Sequence, residues 1–268
     1  MGRPAKELGW DSAVAGPVEP LASLPYARIE SAEGVFLTSS RLEPHRLAAA
    51  YVRDARFDGQ SGGELVTDRL GLEPGRPLDW RRIYRAIFEL DPLCLIHGVF
   101  FSSKEWHGNP KVRRSISAVI EARDAAAVIS GGLKRDDVSF TKGEAQGAEE
   151  GYGFVPFGRT EYTAREIVLS VVVDLGQIRG YGLGEPETSL LIDLALWEVA
   201  SLLESPLRLR TACDLEMTSA HVRRPEGFEL PTAATMRGEL TSLAVAFAEA
   251  GARRGVWTPR KSKAGTKG

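Results

Sequence analysis

Only two cysteines occur in 268 residues, Cys94 and Cys213, and neither has a Cys or His partner at metal-ligand spacing. That scarcity excludes a disulfide framework and a zinc ribbon, and it suits a reducing compartment. The four histidines, His45, His97, His107 and His221, are equally scattered, so no metal centre is predicted. There is no Gly-x-Ser-x-Gly elbow, and neither cysteine has a neighbouring base to activate it. Long apolar runs are missing: "IVLSVVV" is far too short to span a bilayer, and "MGRPAKELGW" lacks the apolar core of a signal peptide. Lys6 stands where a myristoylation motif needs Ser or Thr. A soluble, cytoplasmic protein without membrane contact is expected. Charge of one sign is also lacking, the formal net charge being -2, so any nucleic-acid surface must be a local patch.

What is present is 43% hydrophobic residues, enough for a sizeable core. "YARIESAEGVFLTSSRL" reads as two extended segments turning at Glu33-Gly34. "RLEPHRLAAAYVRDARFDGQSGGEL" starts helix-like and dissolves into a Gly/Asp/Ser loop, after which Asp79 caps a helix over "WRRIYRAIFEL" with Ile83, Ile87 and Leu90 on one face. The continuous apolar run in "PLCLIHGVFF" suggests a buried central strand, within which His97 reads as a satisfied core histidine. Asn109 and Pro110 signal a helix to about Ile129, with Val112, Ile116, Val119 and Ile120 facing the core. A polar, glycine-dotted excursion after Gly131-Gly132 has the length of a β-hairpin. "REIVLSVVVDLG" reads as a parallel or central strand, "PETSLLIDLALWEVASLLES" as a helix opened by Pro186, and "PLRLRTACDLEM" as one alternating strand. A last helix over "TAATMRGELTSLAVAFAEAGARR" leads to the basic tail "RKSKAGTKG". Without detectable repeats or a composition break, these elements predict one elaborated α/β or α+β domain over 1–257, with a flexible tail at 258–268.

Two enzyme readings are open to test. Gly180-Tyr181-Gly182-Leu183-Gly184 lies between an apolar strand and a helix, as a nucleotide-binding turn would, but Glu187 replaces the third glycine and Pro186 marks a helix start. Asp136-Asp137, or Asp214 with Glu216, could hold a divalent ion for RNA hydrolysis, although each reads more economically as a solvated turn or strand face. Binding chemistry is better supplied. Gly151 to Phe157 fits an RNA-recognition signature at every position after the first, where Glu150 replaces a basic residue. Pro156 lacks the donor that a central strand requires, so Gly151 to Thr160 reads instead as the returning limb of a hairpin. Cations gather at Arg41, His45, Arg46 and Arg53, at Lys111, Arg113 and Arg114 on the anion-favouring end of the predicted helix, at Lys134 and Arg135, and at Arg159 beside Tyr152 and Phe154. Cations neutralise phosphates and aromatic rings stack bases, so these residues outline a sequence-tolerant RNA track, the alternative being ordinary solvated surface.

The segments "SSRLEPHRLAAAYV", "DPLCLIHGVFFSS", "GGLKRDDV", "GYGFVPFGRTEYTAREI", "GQIRGYGLG", "LLIDLALWEVASLLE" and "LRLRTACDLE" occur in an order that resembles the RAMP-superfamily, CRISPR RNA-binding backbone subunit of type I-U, also called I-G, Cascade effector complexes. The likeness runs from about Ser39 to Leu230. It implies an α+β fold: a modified RRM, or ferredoxin-like, palm with helical elaborations and a β-hairpin thumb, here assigned to about 133–160, with the loop from Phe57 to Pro77 long enough to be the alternative. It implies as partners the CRISPR RNA, target DNA through the guide, copies of the same chain in a helical filament, and the other Cascade subunits. It implies neither cofactor nor catalytic centre, because base pairing supplies specificity while protein holds backbone and shape. Related type III subunits cut RNA with a loop aspartate, and no aspartate here falls in a motif that maps to that role.

Overall fold

The extended pair expected over 26–39 anchors the computed structural model, which describes residues 10–11, 16–17, 21–42, 46–136, 153–210, 213–247 and 252–258. Ahead of it, β1 (Trp10–Asp11) and β2 (Gly16–Pro17) form a minimal antiparallel ladder. β3 (Tyr26–Glu30) and β4 (Phe36–Ser39) then pair antiparallel, with Gly34 taking the left-handed φ of 79° in their turn. A helical turn at Arg46–Ala48 and α1 (Ala50–Asp54) account for the helix-like patch. The segment expected to be a loop is more regular than its composition suggests. β5 (Arg56–Phe57) and β6 (Gln60–Ser61) make a tight hairpin on Asp58 and Gly59, both at positive φ. Ser61 and Glu64 then form a capping box that starts α2 (Gly62–Leu70). Asp79 caps α3 (Trp80–Leu90) as expected, burying Ile83, Ile87 and Leu90.

Two expectations fail next. Residues 93–97 form α4 (Leu93–His97), not a central strand, and only Val99–Phe100 (β7) is extended. Leu93, Cys94, Leu95 and Ile96 are all buried, so their unbroken apolar run belongs to a helical turn enclosed on every side, which periodicity cannot separate from a strand. His97 is exposed at the end of that turn, not a core residue. Asn109-Pro110 starts no helix either. Asn109 sits at φ 43°, and its side-chain amide donates to the carbonyls of Phe101 (3.0 Å) and Ser103 (3.2 Å), closing a loop that returns the chain as β8 (Lys111–Val112) and β9 (Ile116–Arg123). Val119 and Ile120 are correspondingly exposed.

β10 (Ala126–Asp136) and β11 (Gly153–Thr163) pair antiparallel, with Gly131 opposite Gly158 and Leu133 opposite Pro156. The hairpin expected over about 133–160 thus has both limbs, beginning earlier than 133 and ending later than 160, while 137–152 lie outside the described residues. Pro156 is tolerated because β10 and β11 make a two-stranded sheet, which leaves β11 an edge that needs no donor. Among the described residues β12 (Glu166–Val173) pairs with β9 alone, so it is neither central nor parallel-sheet core there.

α5 (Leu175–Gly180), capped by Asp174, leads to α6 (Glu185–Glu204), which has Pro186 in its first turn as expected. "PLRLRTACDLEM" is two strands, β13 (Leu207–Arg210) and β14 (Cys213–Leu215), folded on each other. α7 (Ala233–Val245) is followed by a strand that the helical reading of "GARR" missed, β15 (Ala252–Val256). β15 runs parallel to β3 and borders β5, so it occupies the centre of a mixed sheet ordered β4-β3-β15-β5-β6. Gly255 is needed there, since a Cβ would lie 2.5 Å from the Phe57 ring. Residues 259–268, most of the expected tail, lie outside the described residues.

The chain is α+β and divides into two compact units, residues 1–117 with 172–268, and residues 118–171. Among the described residues the buried apolar cluster belongs wholly to the first unit, where Ile83, Ile87, Leu95 and Ile96 pack with Leu190, Leu194 and Leu240.

Candidate nucleic-acid interface

β7 and β8 pair over two residues each, which settles four side chains. Val99 and Val112, cross-strand partners, are buried; Phe100 and Lys111, the next pair, face outward. Phe100 is 49% exposed, and the Lys111 ammonium lies 5.5 Å from its ring centroid. Arg113 and Arg114 continue the chain, both exposed. Their backbone is pinned from two sides. Ser115 donates through its N–H to the Ile96 carbonyl (2.8 Å) and through its hydroxyl to Leu95 (3.0 Å), while its own carbonyl accepts from the Asp174 N–H (2.7 Å). Gln177 Nε2 donates to the Arg113 carbonyl at 2.6 Å. At Gly98, φ 78°, a Cβ would come within 2.9 Å of Arg114 N and the Val112 carbonyl, so the segment lies closely against bare backbone.

Lys111, Arg113 and Arg114 form no ion pair among the described residues. Three uncompensated cations beside an exposed ring can neutralise phosphates and offer a base a face. Sequence reading chose these cations but placed them at a helix N-terminus; they lie on and after a strand, so their potential is their own and owes nothing to a helix dipole. Phe100, read as part of a buried strand, is the member that reading missed. No local signal marks it, since Phe101, between it and the polar "SSKEWHGN", is fully buried; its exposure follows from the pairing with Lys111.

The earlier patch is differently disposed. Arg41 is in the core: Nη2 donates to the Pro25 carbonyl (2.9 Å), Nε lies 3.6 Å from Asp91 Oδ1, and the guanidinium sits 5.6 Å from the Tyr26 ring centroid. Burial pushes its pKa down against the pull of Asp91. A residue so enclosed holds the fold together, which corrects its place on the expected track. Arg46 is half-buried, 3.5 Å from the Ser40 carbonyl, and His45 lies outside the described residues. Arg53 is forked on Asp54 (2.8 and 3.2 Å) and lies 3.6 Å from Glu105, so carboxylates already offset its charge.

In the second unit, Arg159 is exposed and bound to Glu161 (3.0 Å) and Ser130 (3.2 Å). The side chains of Lys134, Arg135 and Phe154, and Tyr152 entirely, lie outside the described residues, although the register sets Arg135 opposite Phe154.

The glycine loop at 180–184 joins helix to helix, not strand to helix as expected. The Glu187 carboxylate, held by Arg85 at 2.5 Å, fills the space where a Cβ at Gly184 would go, and Glu185 adjoins it. A phosphate at that helix start would meet two carboxylates. Asp137 and the Asp136 side chain lie outside the described residues, and Asp214 and Glu216 are exposed. Among the described residues no three His, Cys, Asp or Glu side chains converge. Cys94 is buried, and burial pushes its thiol pKa far up, away from reactivity. Among those residues, too, no helix is long and apolar enough to cross a membrane.

An α+β chain carrying unpaired cations beside an exposed ring has the surface chemistry of a polyanion binder. Residues 7–127 match the family model described as CRISPR-associated protein GSU0053, a stretch that includes Phe100, Lys111, Arg113 and Arg114. No curated protein matches the chain. The family match supports a role in CRISPR defence.

Proposed function

We propose that this chain binds CRISPR RNA as a backbone subunit of a type I effector complex. The observation that carries the reading is the strip Phe100, Lys111, Arg113 and Arg114: three exposed cations with no counter-carboxylate among the described residues, beside an exposed ring, inside the family-matched stretch. In this reading the first unit is a modified RRM palm and the hairpin of 118–171 is the thumb. Copies of the chain stack along the guide, other Cascade subunits complete the complex, and target DNA is engaged through base pairing. The near-neutral net charge suits a subunit that must pack against itself.

Purified protein is expected to carry RNA, seen as a high 260/280 nm absorbance ratio that falls on nuclease treatment, and to run large on sizing until the RNA is removed. Replacing Lys111, Arg113 and Arg114 together by Glu is expected to abolish retention while the circular-dichroism spectrum stays unchanged. Each cation removed singly lowers the salt slope of RNA binding by about 0.7. Unchanged retention in the triple variant would sink the proposal. The proposed role is also non-catalytic: RNA incubated with the protein and Mg²⁺ or Mn²⁺ stays intact. Cleavage lost on replacing Asp136 or Asp137 would favour a metal-dependent RNA-processing enzyme instead.

A further inference from the structure

Trp80, at the start of α3, keeps 38% of its surface exposed although it is the bulkiest side chain of that helix. It does not hang free. Its ring lies 5.6 Å from Tyr84, tilted by 32°, and Tyr84 lies 4.6 Å from Tyr181. Tyr181 is buried, its hydroxyl donating to the Leu95 carbonyl (2.7 Å) and accepting from Gln177 Nε2 (2.8 Å). The same Gln177 amide donates to the Arg113 carbonyl. An aromatic stair thus rises from a fixed base beside the cationic segment to an exposed indole.

Exposed arginines border it. Arg81, beside Trp80 on α3, and Arg179, two residues before Tyr181, form no ion pair among the described residues, and the backbone carbonyl of Arg113 is tied to the base of the stair through Gln177. Of the carboxylates near the stair, Glu187 is held by Arg85, and Asp79 and Asp174 accept from the helix N–H groups of Arg82 and Gln177. Glu185 at the start of α6 is exposed without an ion pair among the described residues, so an anion would have to lie on the Trp80 side, away from α6. A ring already oriented by its neighbours loses little freedom on stacking, so a base gains contact there at low entropic cost.

We propose that Trp80 is a stacking platform for an unpaired base of single-stranded RNA, with Arg81 and Arg179 serving the flanking phosphates. The inference rests on the RNA reading of the Lys111–Arg114 strip and extends that track onto α3. It is tested on the full chain freed of nucleic acid, with fluorescein-labelled oligouridine at fixed salt. Trp80→Ala is expected to weaken binding by ~5- to ~150-fold, the range of one lost base stack. Trp80→Phe keeps most of the affinity, and Arg81→Glu with Arg179→Glu weakens it in a salt-dependent way. Photocrosslinking of a bromouridine oligomer to the unsubstituted protein should mark the peptide containing Trp80 and Tyr84; its absence overturns the proposal without any variant having to fold. If W80A binds like the parent while the Lys111, Arg113 and Arg114 triple variant loses RNA, the platform falls and the strip stands. If the triple variant binds normally and W80A does not, the strip falls instead. Normal binding by both sinks both.

Discussion

Two carboxylates on α6 are shifted in opposite directions, and the cause is legible in their neighbours. Burial pushes the Glu198 pKa up, but His97, bonded at 2.9 Å, with Arg46 and Arg41 beyond it, outweighs burial and holds the group below the usual range. Asp193 has burial and the like charge of Glu239, both pushing it up. A depressed carboxylate stabilises the fold above its unfolded pKa, and that contribution is lost as pH falls through the folded value. A raised one opposes folding at neutral pH and ceases to do so on protonation. Denaturant titrations over acidic to neutral pH should therefore show Glu198→Gln less stable near neutrality and less acid-sensitive, and Asp193→Asn more stable near neutrality. Arg41 and Asp91 belong to a different case, a pair almost wholly withdrawn from water, with Ser40 donating to Asp91 at 2.6 Å. Asp91→Ala strands a buried guanidinium and is expected to cost about 3–5 kcal/mol in urea unfolding.

Among the elements, the bend at Gly98 controls where the cationic strip lies. Gly98→Ala must either leave φ 78° or displace Arg114 N and the Val112 carbonyl, and about 1–3 kcal/mol of destabilisation with weakened RNA retention is expected. Denaturation and nuclease-sensitive absorbance read the two effects separately. The elements that sequence foretold are those whose signals are local. Asp79 caps α3, Pro186 opens α6, and the apolar face of α3 repeats at helical spacing. Those it misread depend on distant partners. The run at 93–97 is helical because the chain around it is all core, and "ARRGV" is a strand because β3 and β5 lie on either side. The site divides likewise. Lys111, Arg113 and Arg114 stand out by charge alone, whereas Phe100 faces outward through its pairing with Lys111, and Arg41 is withdrawn by an aspartate fifty positions away.

For the whole molecule, the confinement of the core to one unit has a direct test. Replacing 118–171 by a short flexible linker keeps Ile116 and Val173, which pack on the core, and removes none of its buried members. Such a chain is expected to melt cooperatively by circular dichroism; aggregation or a broad, non-cooperative melt would contradict the independence of that core. Deleting 252–258 instead takes out the centre of the mixed sheet and should abolish cooperative unfolding altogether. The place of β15 also bears on how the chain is made. Tyr26 and Ala252 are register partners 226 positions apart, so one edge of β3 has no mate until those 226 further residues have been made. Loop closure over that separation comes before any reward from pairing, which makes this sheet slow to finish and leaves β3 open to the wrong strand meanwhile. On a ribosome, the earliest strand of this sheet to emerge has to wait for the last.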